Sequence, residues 1–147
     1  MAQLQPYCAI EGNDDGLPVV FVHGMGVDHR SLMMLDKAFD GNDSIRRIYL
    51  DLPGFGRTPA LPEHACGLPE MADWLQTAID GLVGKAAPFA MVGNSMGGAL
   101  VREVLAREPR RVAGMALIAP VVDPQHAGRH VAEHVVAQPN PDRKSVV

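Results

Sequence analysis

Two cysteines in 147 residues, Cys8 and Cys66, are too few for a disulfide framework and lack metal-ligand spacing. A reducing compartment is therefore expected. No apolar run approaches the roughly 18 residues that cross a bilayer. Residues 1–6 carry no basic stretch followed by an apolar run, so no secretory leader is expected. Positive charge is in short supply: 13 basic against 17 acidic side chains give a formal net charge of −4. Binding a nucleic-acid backbone needs a basic face, which this balance does not provide. What is present, 47% apolar and 20% charged residues, is the composition of a globular domain. The length allows one such domain and not two. A cytoplasmic protein with a small-molecule substrate and no nucleic-acid or membrane partner is the expectation.

Hydrophobic period and turn residues divide the chain into alternating strands and helices. Residues 7–10 predict a weak first strand, closed by a polar turn over 11–16. Residues 19–22, 89–92 and 112–119 are short apolar runs, the pattern of strands buried on both faces of a parallel sheet, and 45–50 is read as another buried strand. Helices are predicted over 31–39 and 95–108, the latter stopped by Pro109. Between them, Met71, Trp74, Leu75, Ala78, Ile79 and Leu82 recur at helical spacing on one face, with Gly84 just past the end. The order argues for a parallel α/β sheet. Residues 55–69, with prolines at 59, 62 and 69, form the longest connection.

Gly93-Asn94-Ser95-Met96-Gly97 directly follows a predicted strand and opens a predicted helix. In that context the G-x-S-x-G pattern has a mechanical meaning. A serine on so sharp a turn needs neighbours two residues before and after it without side chains. Its hydroxyl then stands at the strand's C-terminal end, beside the positive helix N-terminus. The bland alternative is a serine that caps the helix. His23-Gly24-Met25-Gly26 ends an earlier strand. Acyl transfer needs donors aimed where negative charge develops, and the Met25 and Met96 backbone amides are the candidate pair. His23 could be a general base, but its place beside a glycine turn suits bonding to loop backbone better.

Val22-His23-Gly24-Met25-Gly26, Asp51-Leu52-Pro53-Gly54-Phe55-Gly56-Arg57-Thr58 and Gly93-Asn94-Ser95-Met96-Gly97-Gly98, in that order, resemble the α/β-hydrolase superfamily. The resemblance covers about residues 7–120. It implies an α/β-hydrolase fold, with a mostly parallel sheet and helices on both faces. It also implies Ser95 as nucleophile, an oxyanion hole from Met25 and Met96, and a structural turn at 51–58 in which Asp51 organises loop hydrogen bonds. The Asn94-Ser95-Met96-Gly97-Gly98 elbow is similar to those of carbon–carbon bond hydrolases, and is too short to choose between them and esterases, lactonases or iminopeptidases. No metal or organic cofactor is implied.

The superfamily's acid and histidine follow the serine on later strands, beyond a cap. After Ser95 the histidines are His126, His130 and His134, and no strand–His–loop pattern follows. The expectation is therefore a truncated fold: residues 1–122 as the N-terminal part of the core, 123–141 as the start of a cap, with the cap and last strands missing. Residues 142–147 match the codons GAT CGG AAG AGC GTC GTG of a common short-read sequencing adapter, and are expected to be non-native. Asp123 sits where some members carry their acid, and is equally readable as a turn residue before Pro124. His126, His130 and His134 recur at i, i+4, i+8, a face that could meet a metal but is ordinarily solvated. Cys66, in the proline-rich connection, is expected to be inert; the methionine side chains are expected to fill the core. The resulting expectation is a serine hydrolase half, inactive alone. An acyltransferase on the same fold and a non-catalytic small-ligand binding protein are the alternatives.

Overall fold

A computed structural model describes residues 5–123. The cap segment beyond Asp123, the three late histidines and the tail at 142–147 lie outside the described residues. Five strands form one sheet: β1 (Cys8–Gly12), β2 (Leu17–Val22), β3 (Ile45–Leu50), β4 (Phe89–Asn94) and β5 (Val112–Ile118), in the order β1-β3-β2-β4-β5. β1 runs antiparallel to β3, and the other three pairings are parallel. The runs at 45–50 and 89–92 emerge as strands, and the first strand extends through Glu11 and Gly12 because it pairs along the whole of β3.

Strand alternation sorts the core into two layers. Val20, Val22, Ile48 and Leu50 point to one face, where helices α2 (Leu68–Val83) and α3 (Met96–Arg107) cover them. Val19, Phe21 and Tyr49 point to the other, against Leu32 of the short helix α1 (Arg30–Met33) and Phe39. The helix predicted over 31–39 is two pieces, α1 and a 3-10 turn at Asp36–Phe39. Although six of residues 31–39 are apolar, Leu32 alone is buried in α1, and Met34 (82%) and Leu35 (39%) are left exposed, contrary to the expected core role of Met34.

α2 buries Trp74, Leu75, Ala78 and Ile79 as the spacing predicts, and starts earlier than the periodicity, with Pro69 in its first turn. It stops at Gly84, whose φ of 97° ends the helix. Arg111 then pins that end. Its guanidinium donates to Asp80 (2.7 Å) and to the Gly84 carbonyl (2.7 Å), and lies over the Phe89 ring. Among the described residues no helix is long and apolar enough to cross a membrane.

β5 is the exception to burial. It is paired only with β4 among the described strands, and its second half is exposed, Leu117 at 37% and Ile118 at 38%. An apolar edge with unpaired N–H and C=O groups is a template for association. Ala116→Lys on this edge is expected to lower static light scattering at a given concentration. A far-UV circular dichroism spectrum unchanged from the unsubstituted chain checks that the strand survives.

Candidate active site

Ser95 joins β4 to α3 with φ 52° and ψ −116°, a conformation that residues with a side chain rarely adopt. Such strain costs of order 1–3 kcal/mol and persists only where the surroundings impose it. Here the imposing contacts are explicit. Ser95 N–H donates to the Ile118 carbonyl (3.0 Å), and the Ser95 carbonyl accepts from Gly98 N–H (2.9 Å) and Val121 N–H (2.9 Å). The end of β5 thus clamps the turn from the side, with Ala119 itself at φ 42°.

The glycines make this packing possible. A Cβ on Gly97 would collide with the Val22 and His23 carbonyl oxygens, and one on Gly93 would lie 2.6 Å from Val101 Cγ2. Gly98 faces Pro120, where an added Cβ would come within 2.7 Å. The Ser95 side chain makes no cap bond to α3, so helix capping does not account for a serine there. The residue is half-buried.

The loop after β2 abuts this turn. A Cβ on Gly24 would lie 3.1 Å from Ser95 Cβ and 3.1 Å from Asn94 Oδ1, so the segment preceding Met25 runs against the serine turn. The Met25 side chain is 72% exposed, whereas the Met96 side chain is buried. The Met96 N–H is the first of α3 and belongs to the four helix donors that have no intrahelical acceptor.

His23 is fully buried. Its Nε2 accepts from Leu52 N–H (3.0 Å), which places the ring proton on Nδ1, and Nδ1–H donates to the Gly24 carbonyl (2.7 Å). Both nitrogens are thereby committed to loop backbone, as the glycine turn suggested, and neither is left to act as a base. Burial pushes the imidazole below its ordinary pKa, against the opposing Gly24 hydrogen bond and the nearby Asp51 charge.

Asp51 organises the other loop, as the resemblance implied. Its Oδ1 accepts from His29 N–H (2.8 Å) and from His29 Nδ1–H (2.8 Å), and its Oδ2 accepts from Arg57 N–H (2.9 Å). A Cβ on Gly56 would collide with this carboxylate. Sequence reasoning missed His29. The available signal was Asp51 itself, because a carboxylate ending an apolar strand is buried and needs donors. Asp28, His29 and Asp51 bring ligand-type atoms within 4.8 Å of one another. Each is already engaged, Asp28 by Arg30 at 2.6 Å, which draws its pKa down to about 2, and Asp51 by the three donors above. Asp123 is exposed and lies two residues beyond Val121, the residue that donates to Ser95. Cys66 is exposed, with its thiol donating to the Glu63 carbonyl.

Gly97→Ala is expected to destabilise the fold by about 3 kcal/mol, the upper range for overpacking, because both obstructing atoms are backbone; the urea midpoint measures it. For His23 the folded pKa lies below the unfolded one. Below about pH 6.5 the unfolded chain therefore binds a proton that the folded chain does not. His23 contributes fully above that pH, and stability falls as pH drops beneath it. Urea midpoints between pH 7.5 and 5 are expected to show this decline, and His23→Asn to flatten it.

A profile of the alpha/beta hydrolase fold family matches residues 18–142. Over 108 residues the chain is 34% identical to the dihydrolipoyllysine-residue acetyltransferase component of an acetoin cleaving system from Pseudomonas putida, covering 74% of this chain and 28% of that protein. It is 32% identical over 106 residues to a pimeloyl-acyl-carrier-protein methyl ester esterase from Legionella pneumophila, covering 70% and 38%. An alpha/beta superfamily hydrolase from Oenococcus oeni superposes with a TM-score of 0.76 at 26% identity, covering 93% of this chain and 53% of its own. The chain therefore spans little more than half of that structure and under two fifths of those two relatives. With the sheet order, the serine turn and the profile in agreement, the chain belongs to the alpha/beta hydrolase fold family.

Proposed function

We propose that this chain carries the nucleophile half of a serine hydrolase acting on an ester or related acyl bond. The observation that carries this reading is the Ser95 backbone at φ 52° and ψ −116°, with no cap bond to the side chain and the loop before Met25 packed against it. Strain maintained by three glycines and a clamp from β5 has no evident structural benefit, and strained residues cluster at sites that use them. In the proposed reaction Ser95 Oγ attacks the substrate carbonyl carbon, and the amides of Met25 and Met96 bind the oxyanion that forms. The serine proton passes to a general-base histidine, a role His23 does not fill because it is engaged through both nitrogens. The tetrahedral intermediate collapses, the substrate's alcohol leaves with that proton, and water then hydrolyses the acyl–Ser95 ester to release the acid and restore the hydroxyl. Asp123 is a candidate for the acid that orients the histidine.

The esterase named among the relatives favours ester hydrolysis. The acetyltransferase named there favours the second reading, in which an alcohol or thiol takes the place of water. Product analysis with competing acceptors separates the two.

Without a base, the 147-residue chain is expected to retain only the oxyanion-hole and binding contribution, of order 10³–10⁴ over the reaction in water. A fluorophosphonate probe is expected to label Ser95 slowly, detected as a mass shift on its peptide, and Ser95→Ala to abolish it. Equal labelling in Ser95→Ala overturns the assignment, and rapid turnover of a p-nitrophenyl ester by this chain overturns the need for a later histidine.

A further inference from the structure

We infer that His29 is a positioning residue for the Met25 amide, holding through Asp51 the far end of the loop whose near end His23 holds. The inference rests on the reading of Met25 as an oxyanion donor, and concerns a residue to which that reading assigns nothing. The loop after β2 has two anchors. At Gly24 the carbonyl is held by His23 Nδ1–H, and His23 is in turn fixed by Leu52 N–H. At residue 29 both the backbone N–H and ring Nδ1–H converge on Asp51 Oδ1, each at 2.8 Å. Leu52 and Asp51 are adjacent at the end of β3, so one rigid point of the sheet holds both ends. Only residues 25–28 lie between the anchors, with Gly26 at φ 79° making the bend.

The second anchor is itself enclosed. The Tyr7 ring packs on the His29 imidazole with centroids 5.1 Å apart, and the Arg57 guanidinium lies 4.7 Å over the Tyr7 ring and donates to its hydroxyl. Tyr7 is tied down by its N–H to Thr58 Oγ1 and by its carbonyl to Asp51 N–H, each at 2.9 Å. Just before the anchor, Asp28 braces the first turn of α1, accepting from Arg30 N–H at its carboxylate and from Ser31 N–H at its carbonyl. A four-residue span fixed at both ends has few conformations, which is the preorganisation an oxyanion donor needs. Releasing one end frees it.

Two substitutions separate the hydrogen bond from the ring packing. His29→Phe keeps a ring against Tyr7 and removes the Nδ1 donor, whereas His29→Asn keeps a donor near the Nδ1 position and removes the ring. In the ¹⁵N-labelled chain, His29→Phe is expected to lower the heteronuclear NOE of the Met25 and Gly26 amides, with β2 and β4 unchanged, and His29→Asn to stay close to the unsubstituted protein. Fluorophosphonate labelling of Ser95 is expected to slow about tenfold in His29→Phe, with the loss in the maximal rate rather than in the half-saturating concentration, and to recover in His29→Asn. An unchanged NOE at residues 25 and 26 in His29→Phe overturns the inference, as does a loss in His29→Asn equal to that in His29→Phe. If His29→Phe does not fold, an unchanged NOE and labelling rate in His29→Asn supports the inference, and a loosened loop in that variant overturns it. Failure of Ser95 to label in any variant, with the NOE behaving as expected, leaves the anchor standing and removes the nucleophile assignment instead.

Discussion

The structure depends on one backbone conformation, the turn at Ser95, and most of the other packing can be read as what keeps that turn in place. A residue with a Cβ at φ 52° relaxes unless its neighbours forbid it. Three sources of restraint meet there. Parallel pairing holds β4 between β2 and β5. The end of β5 accepts from Ser95 N–H at Ile118, and Val121 just past the strand donates to the Ser95 carbonyl. The glycines at 93, 97 and 98 let α3 approach β2 and the segment after β5 more closely than any side chain permits. The energy that offsets the strain is supplied by the apolar layer beneath, where Leu100, Val101 and Val104 of α3 are buried against the sheet.

The two histidines of the loop after β2 illustrate how one side chain serves different ends according to its surroundings. His23 is excluded from water and neutral, using one nitrogen as donor and the other as acceptor. His29 lies near the surface and uses its Nδ1 donor on a carboxylate. His23 bonds its neighbour Gly24 with one nitrogen and reaches Leu52 with the other, His29 reaches Asp51, and the loop inherits its rigidity from the end of β3.

Much of this was legible beforehand because it rests on local rules. The strand at 89–94 is an apolar run after Pro88 that ends at Gly93-Asn94, the strand at 45–50 ends in Ile48-Tyr49-Leu50, and the α2 face follows helical spacing through Trp74, Leu75, Ala78 and Ile79. The serine turn announced itself because its glycines stand at fixed offsets. The split of the 31–39 helix was not legible, since it depends on how little apolar surface the far side of the sheet offers. The His29–Asp51–Tyr7 cluster was hidden for a different reason: its members are 22 and 44 residues apart, as counted from positions 7, 29 and 51, and meet only when β1 pairs with β3. Sequence distance conceals what an antiparallel strand brings together.

The exposed Met25 side chain has an evolutionary corollary. With the loop secured at Gly24 and at His29, position 25 contributes its backbone to the frame and lends its side chain to nothing else in the described fold. Such a position can drift among bulky, small or charged residues without disturbing the architecture. It offers a place where selection can reshape the surface beside the Ser95 turn while the backbone beneath stays fixed.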